Sequence, residues 1–270
     1  MRNGALMPGR RRTDRSSTVR PSTGLPRTGL PRSGQLLDVA AAIAGCACVL
    51  AALAIIWIAR LTVTRDVYVS ELGAQGEPTA HAFQVALLLI VAGGSLIAFA
   101  GRAVRSRLRL LGAWTPAVSL WIASGFFLVA SQVTCTSGCP VPYGPSFTWQ
   151  DLTHIVCAVI AFVAACWAML QTSFAHNNRL LAGFSRASGI AVGVIASAGG
   201  ILSLLNFMTG FGSRLEFVAT TLAIAWVAVF GAVMVRTRLA LGDGETIDTQ
   251  KYAVADAAAL PADDVEQVVR

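Results

Sequence analysis

Residues 37–59 read LDVAAAIAGCACVLAALAIIWIA. After Asp38 the stretch carries no charge, and it is long enough to cross about 30 Å of hydrocarbon as a helix, which takes roughly 20 apolar residues. Five further stretches share its character, at residues 80–101, 113–133, 152–170, 188–208 and 217–235. A segment in lipid must satisfy its own backbone hydrogen bonds, so the choice is between helices and a closed barrel. The alternation of a barrel strand is absent. The expected fold is therefore all-α, a polytopic membrane protein with six transmembrane helices over residues 35–238.

Composition agrees. Of the 270 residues, 55% are hydrophobic and 13% charged, against about a quarter charged in a soluble domain. The net charge of +7 is nearly all arginine, Lys251 being the sole lysine. That charge sits in loops and tails with no nucleic-acid motif around it, so nucleic acid is not an expected partner. Residues 1–34 are rich in Arg, Pro, Ser and Thr, and repeat Thr-Gly-Leu-Pro-Arg at 23–27 and 28–32. Such a segment buries too little apolar surface to fold and is expected to be a disordered cytoplasmic tail. Arg10, Arg11 and Arg12 lie too far from the first apolar run for an export signal. Residues 239–270 are acidic and are also expected to be disordered, with a short helix near the end.

Loop charge orients the chain. The first tail is arginine-rich, Arg102, Arg105, Arg107 and Arg109 follow the second helix, and Arg179 and Arg186 follow the fourth. The other connectors carry Asp66, Glu71, Glu77, Asp151 and Glu216. Both termini are thus expected in the cytoplasm and the Cys135–His154 loop outside, in the plasma membrane. Trp57, Tyr68, Tyr143 and Trp149 would form the outer aromatic belt, Trp114 and Trp167 the inner one.

The outer loops hold most of the reactive side chains. The longest reads CTSGCPVPYGPSFTWQDLTH over residues 135–154. An oxidising location and the intervening Gly138 favour a disulfide between Cys135 and Cys139, with free thiols as the alternative. Asp151 and His154, three apart at a helix start, project from one face. Asp151 either caps that helix or orients His154 for proton transfer or metal ligation. Ser70 is a candidate nucleophile if a base lies in reach. Glu71, Asp151, His154 and Arg214 are the candidate ligand-binding residues, with Arg214 free to neutralise Glu71 or Asp151. Glu216 either pairs with Arg214 or caps the sixth helix. No cofactor is expected outright, but His81, His154 and Asp151 could hold zinc, and His81 with His154 could hold a haem. Asn206 is expected to face the bundle, and Ser185, Gly189, Gly193 and Ser197 to mark close helix packing.

Three loop patterns together resemble the domain-of-unknown-function 998 family, six-helix integral membrane proteins of bacteria and archaea. They are SELGA-x-GEP before the second helix, CTSGCP-x-P with D-x-x-H leading into the fourth, and the GFGSRLE connector before the sixth. The resemblance covers about residues 37–236 and implies fold and membrane location. It implies no reaction.

The functional expectation is a non-enzymatic or accessory protein whose outer polar cap binds a lipid headgroup, a small ligand or a protein partner. Membrane lipids are expected partners, and a homo-oligomer is allowed. One alternative is a membrane-embedded metal-dependent lipid hydrolase similar to ceramidase-type enzymes, built from Ser70, Asp151, His154 and His81, although the HxxxH pair of that group is missing. Another is a small transporter or proton-coupled carrier, which the lack of mid-membrane charge disfavours.

Overall fold

In a computed structural model, residues 33–175 and 179–259 are described, with side chains from 34 to 240. The expectation for the N-terminal tail lies outside the described residues. The chain is helical: α1 (Ser33–Thr62), a single 3-10 turn (Ser70–Gly73), α2 (Ala80–Ala100), α3 (Pro116–Gln132), α4 (Trp149–Ser173), α5 (Arg179–Leu204) and α6 (Thr209–Ala259). Among the described residues there is no strand, only an isolated bridge between Ser106 and Ala175. Five helices are long and apolar enough to cross a membrane, α1, α2, α4, α5 and the part of α6 up to Ala240. At 17 residues α3 is apolar but shorter.

Each helix packs on the next in sequence, and α6 returns to α1, so the six close into a ring. Inside lie Ile56, Ile97, Met169, Trp226 and Phe230, with the last two rings stacked 5.4 Å apart. Outside, Ile43, Ile58, Val85, Val163 and Val194 are exposed. In water such an apolar exterior would drive association, whereas lipid is its natural solvent.

Helix ends differ from expectation where polarity and helicity diverge. The fifth helix begins at Arg179, nine residues before the apolar run, because Arg is a good helix former and its stem snorkels along apolar surface. It stops at Leu204, where Asn206 and Met208 adopt φ of 49° and 47°. The Phe207 N–H reaches back five residues to Leu202 O at 3.0 Å, a left-handed closure that Asn tolerates. Asn206 is therefore an exposed turn residue rather than one facing the bundle. The sixth helix runs on to Ala259, well past the apolar run and into the acidic segment, where alanines favour a helix.

Helices α1 and α2 approach each other closely. A Cβ on Gly93 would stand 2.7 Å from Gly45 O and 3.0 Å from Cys48 Cβ, and one on Gly45 would stand 2.8 Å from Gly93 O. Backbone cannot retreat as a side chain can, so Gly93→Ala should cost about 1–3 kcal/mol, read by unfolding in detergent. This pair is a tighter seam than the small-residue stripe on α5. Of that stripe, Ser185 accepts from Trp226 Nε1 at 2.8 Å and Gly189 faces Met169 Cβ, while a Cβ on Gly193 would meet nothing within 4 Å.

Two ends of the ring are tied separately. At one, buried Asp38 of α1 pairs with Arg102 after α2 at 2.5 Å and with Arg238 of α6 at 3.1 Å. The α2–α3 and α4–α5 connectors meet there through Arg107 N and Phe174 O. At the other end, Gln75 N donates to Cys135 O at 2.9 Å and Tyr143 OH to Leu204 O.

Candidate functional site

The candidate site residues stand at the second end. Ser70 and Glu71 are on the 3-10 turn, Cys135 and Cys139 follow α3, Asp151 and His154 open α4, and Arg214 lies in the second turn of α6. Cys135 and Cys139 form the disulfide. Gly138 at φ 78° and Cys139 at φ 43° supply the left-handed turn that so small a ring needs.

Asp151 is wholly buried and wholly committed. It makes the capping box of α4 with Thr148, taking Thr148 N at 3.0 Å and Thr148 Oγ1 at 2.7 Å. Thr136 N at 2.7 Å and Thr136 Oγ1 at 3.0 Å complete its shell. It does not touch His154, so the reading in which it orients the imidazole is corrected. A carboxylate at the third helical position reaches back to its own cap, while His154 lies a turn further in, where another partner waits. That partner is the end of α3, whose last carbonyls have no helical donor. His154 Nδ1 lies 2.7 Å from Val133 O and 3.1 Å from Ala130 O. Both are acceptors, so Nδ1 carries the proton, and Nε2 of the neutral ring is an acceptor.

The surface acids are committed as well, largely to a residue that sequence reasoning passed over. Arg65 bridges Glu71 at 2.9 Å and Glu77 at 2.5 Å. Burial works against its charge, but the two carboxylates outweigh it and hold the guanidinium above its ordinary pKa. Arg214, with its side chain 72% exposed, stands 3.8 Å from Asp66 and meets neither Glu71 nor Asp151. Burial pushes the Tyr68 phenol upward; Ser203 opposes this, and the charges of Glu216 and Glu71 add to it. A pairing of Arg65 with residues 71 and 77 shows no helical period, so spacing offered no signal for it.

Below this cap lies a cavity of about 80 Å³ inside the ring. Ile56, Phe83, Leu87, Phe127, Phe162 and Ile224 give it apolar walls, and Ser70, His154, Glu216 and Thr220 line it too. Glu216 Oε2 accepts the Val69 N–H at 3.0 Å, so its carboxyl ties the 3-10 turn to α6 rather than pairing with Arg214. Thr220 is 8% exposed and its Oγ1 has no hydrogen-bond partner. The Ser70 hydroxyl and His154 Nε2 are likewise uncommitted among the described residues. Uncommitted polar groups in an apolar cavity are the usual furniture of a small-molecule site.

His81 does not join them. It is exposed at the start of α2, whereas His154 is buried. Among the described residues no three His, Cys, Asp or Glu side chains gather as a metal would require, so the His81, His154 and Asp151 set is not assembled. Nor do an exposed and a buried histidine make an axial pair for haem. The chain matches no protein-family model, no curated protein and no solved structure.

Proposed function

We propose that this chain is a non-enzymatic, accessory multi-pass membrane protein that binds a small amphiphile in the cavity within its helix ring. The observation that carries the reading is the unpartnered, buried Thr220 hydroxyl beside Ser70, His154 and Glu216 in otherwise apolar walls. A buried polar atom with no partner costs about 1–3 kcal/mol, which a hydrogen-bonding ligand would offset. Site residues thus move inward from the outer cap: Asp151, Glu71 and Arg214 do not line the cavity, and His154 and Ser70 do.

In the same reading α3 is the sixth span, since 17 residues is the lower limit for a crossing. Both termini are cytoplasmic, because the arginine-rich connectors share the end where Asp38 pairs with Arg102 and Arg238. The Cys135–His154 loop then faces outward from the plasma membrane. Ser70, Glu71, Cys135, Cys139, Asp151, His154 and Arg214 belong to the three loop patterns, and their grouping at one end supports membership of the domain-of-unknown-function 998 family.

The test is native mass spectrometry of detergent-purified protein beside Ala158→Leu, which puts three carbons into the cavity. The wild type should carry a small amphiphile that the variant has lost; identical spectra would sink the reading. Ser70 and His154 lining one cavity also supports the hydrolase alternative. Turnover of acyl esters that disappears in Ser70→Ala would put the enzyme first.

A further inference from the structure

We infer that the cavity selects amphiphiles whose polar end donates hydrogen bonds, an alkyl ammonium foremost, over those headed by phosphate or carboxylate. The inference rests on the ligand-binding reading above and specifies its chemistry. It follows from which polar atoms remain open after the protein has satisfied its own.

With Nδ1 facing Val133 O and Ala130 O, the neutral His154 ring presents Nε2 as an acceptor. Glu216 takes the backbone N–H groups of Val69 and Ser70, which leaves further acceptor capacity on a carboxylate, and forms no ion pair among the described residues. Ser70 and Thr220 carry hydroxyls, which donate or accept as the ligand asks. The cavity therefore presents two acceptors, two adaptable groups and no group that can only donate.

No arginine lines it, and those nearby are engaged outside. Arg65 holds Glu71 and Glu77, while Arg60 and Arg214 both meet Asp66. Glu71 also lies within electrostatic reach of Glu216, adding negative potential at the mouth. A phosphate or carboxylate head would meet a carboxyl with no cation to offset it, at low dielectric, where unpaired charge is most costly. An amine gives the opposite result. It meets a carboxylate as ammonium or takes the proton of a carboxyl, and either route ends in the same ion pair. Two further ammonium hydrogens remain for His154 Nε2 and the Thr220 hydroxyl. At about 80 Å³ the space suits such a head with its first few methylenes, since about 10–15 Å³ of such space admits one water.

The experiment measures binding of octylamine, octanol, octanoate and octyl phosphate to the full chain in non-ionic detergent, with Ala158→Leu as the filled-cavity control. Octylamine should bind about tenfold or more tightly than octyl phosphate, because a charge-assisted hydrogen bond supplies that margin. Glu216→Gln keeps an acceptor for Val69 N–H, so it should remove about tenfold from octylamine and leave octanol unchanged. Octyl phosphate or octanoate binding as well as octylamine, with all binding lost in Ala158→Leu, would overturn the selectivity and keep the cavity reading. Binding of every probe that ignores Ala158→Leu would overturn both. Should Glu216→Gln fail to fold, the wild-type ranking of the four probes decides the question.

Discussion

Replacing Asp151 by alanine should destabilise the protein by about 2–4 kcal/mol. The side chain is fully buried and takes four hydrogen bonds, two from Thr136 and two from Thr148. Losing the capping box alone costs about 1 kcal/mol. The remainder comes from the half-buried Thr136 N–H, left without an acceptor at about 1–3 kcal/mol before relaxation. Asp151→Asn keeps an acceptor and should cost about half as much. Denaturant or SDS titration in detergent reads both. If Asp151→Ala unfolds within 1 kcal/mol of wild type, the loop from Cys135 to Thr148 does not depend on this carboxylate, and its burial has another cause.

A second large loss is expected at the opposite end. Asp38→Ala should cost about 2–3 kcal/mol, because it leaves the Arg102 and Arg238 guanidiniums facing each other without their shared anion. Removing one partner of a buried pair costs about 3–5 kcal/mol. Here the arginines are partly exposed, at 42% and 27%, and can turn toward water, which lowers the figure. The Gln35 Nε2 bond to Arg238 O at 2.5 Å holds α1 and α6 together meanwhile. The pairing also predicts how the loss divides. Asp38→Ala combined with Arg238→Ala should be less destabilising than the sum of the single changes, since the second removes a charge the first orphaned. Strict additivity would show that the ion pair contributes nothing.

These two aspartates illustrate what a linear reading can reach. Asp151 was legible as a helix cap, because a capping box is a pattern of near neighbours in the chain. Its second set of donors, on Thr136, was not, since nothing in the spacing of residues 136 and 151 announces contact. Asp38 was visible as a charge at the edge of an apolar run, but its partners Arg102 and Arg238 lie far along the chain, the first 64 residues away and the second near the end of the last span. His154 is the sharpest case. Three residues from Asp151, it invited pairing with it, yet it serves the free carbonyls of α3.

By itself the amino-acid sequence determined the helical class, the apolar runs behind the membrane-length helices, the disulfide and the choice of one end for the reactive residues. Those properties follow from local quantities: hydropathy summed over about twenty residues, loop charge, and a glycine between two cysteines. Tertiary structure alone decided that α6 closes the ring on α1, that Arg65 takes up Glu71 and Glu77, and that Ser70, His154, Glu216 and Thr220 line one cavity. Those are matters of which helix faces turn inward together. Side chains from distant segments meet only once packing has chosen the neighbours, and that choice rests on close approaches such as Gly45 on Gly93 that no single segment encodes.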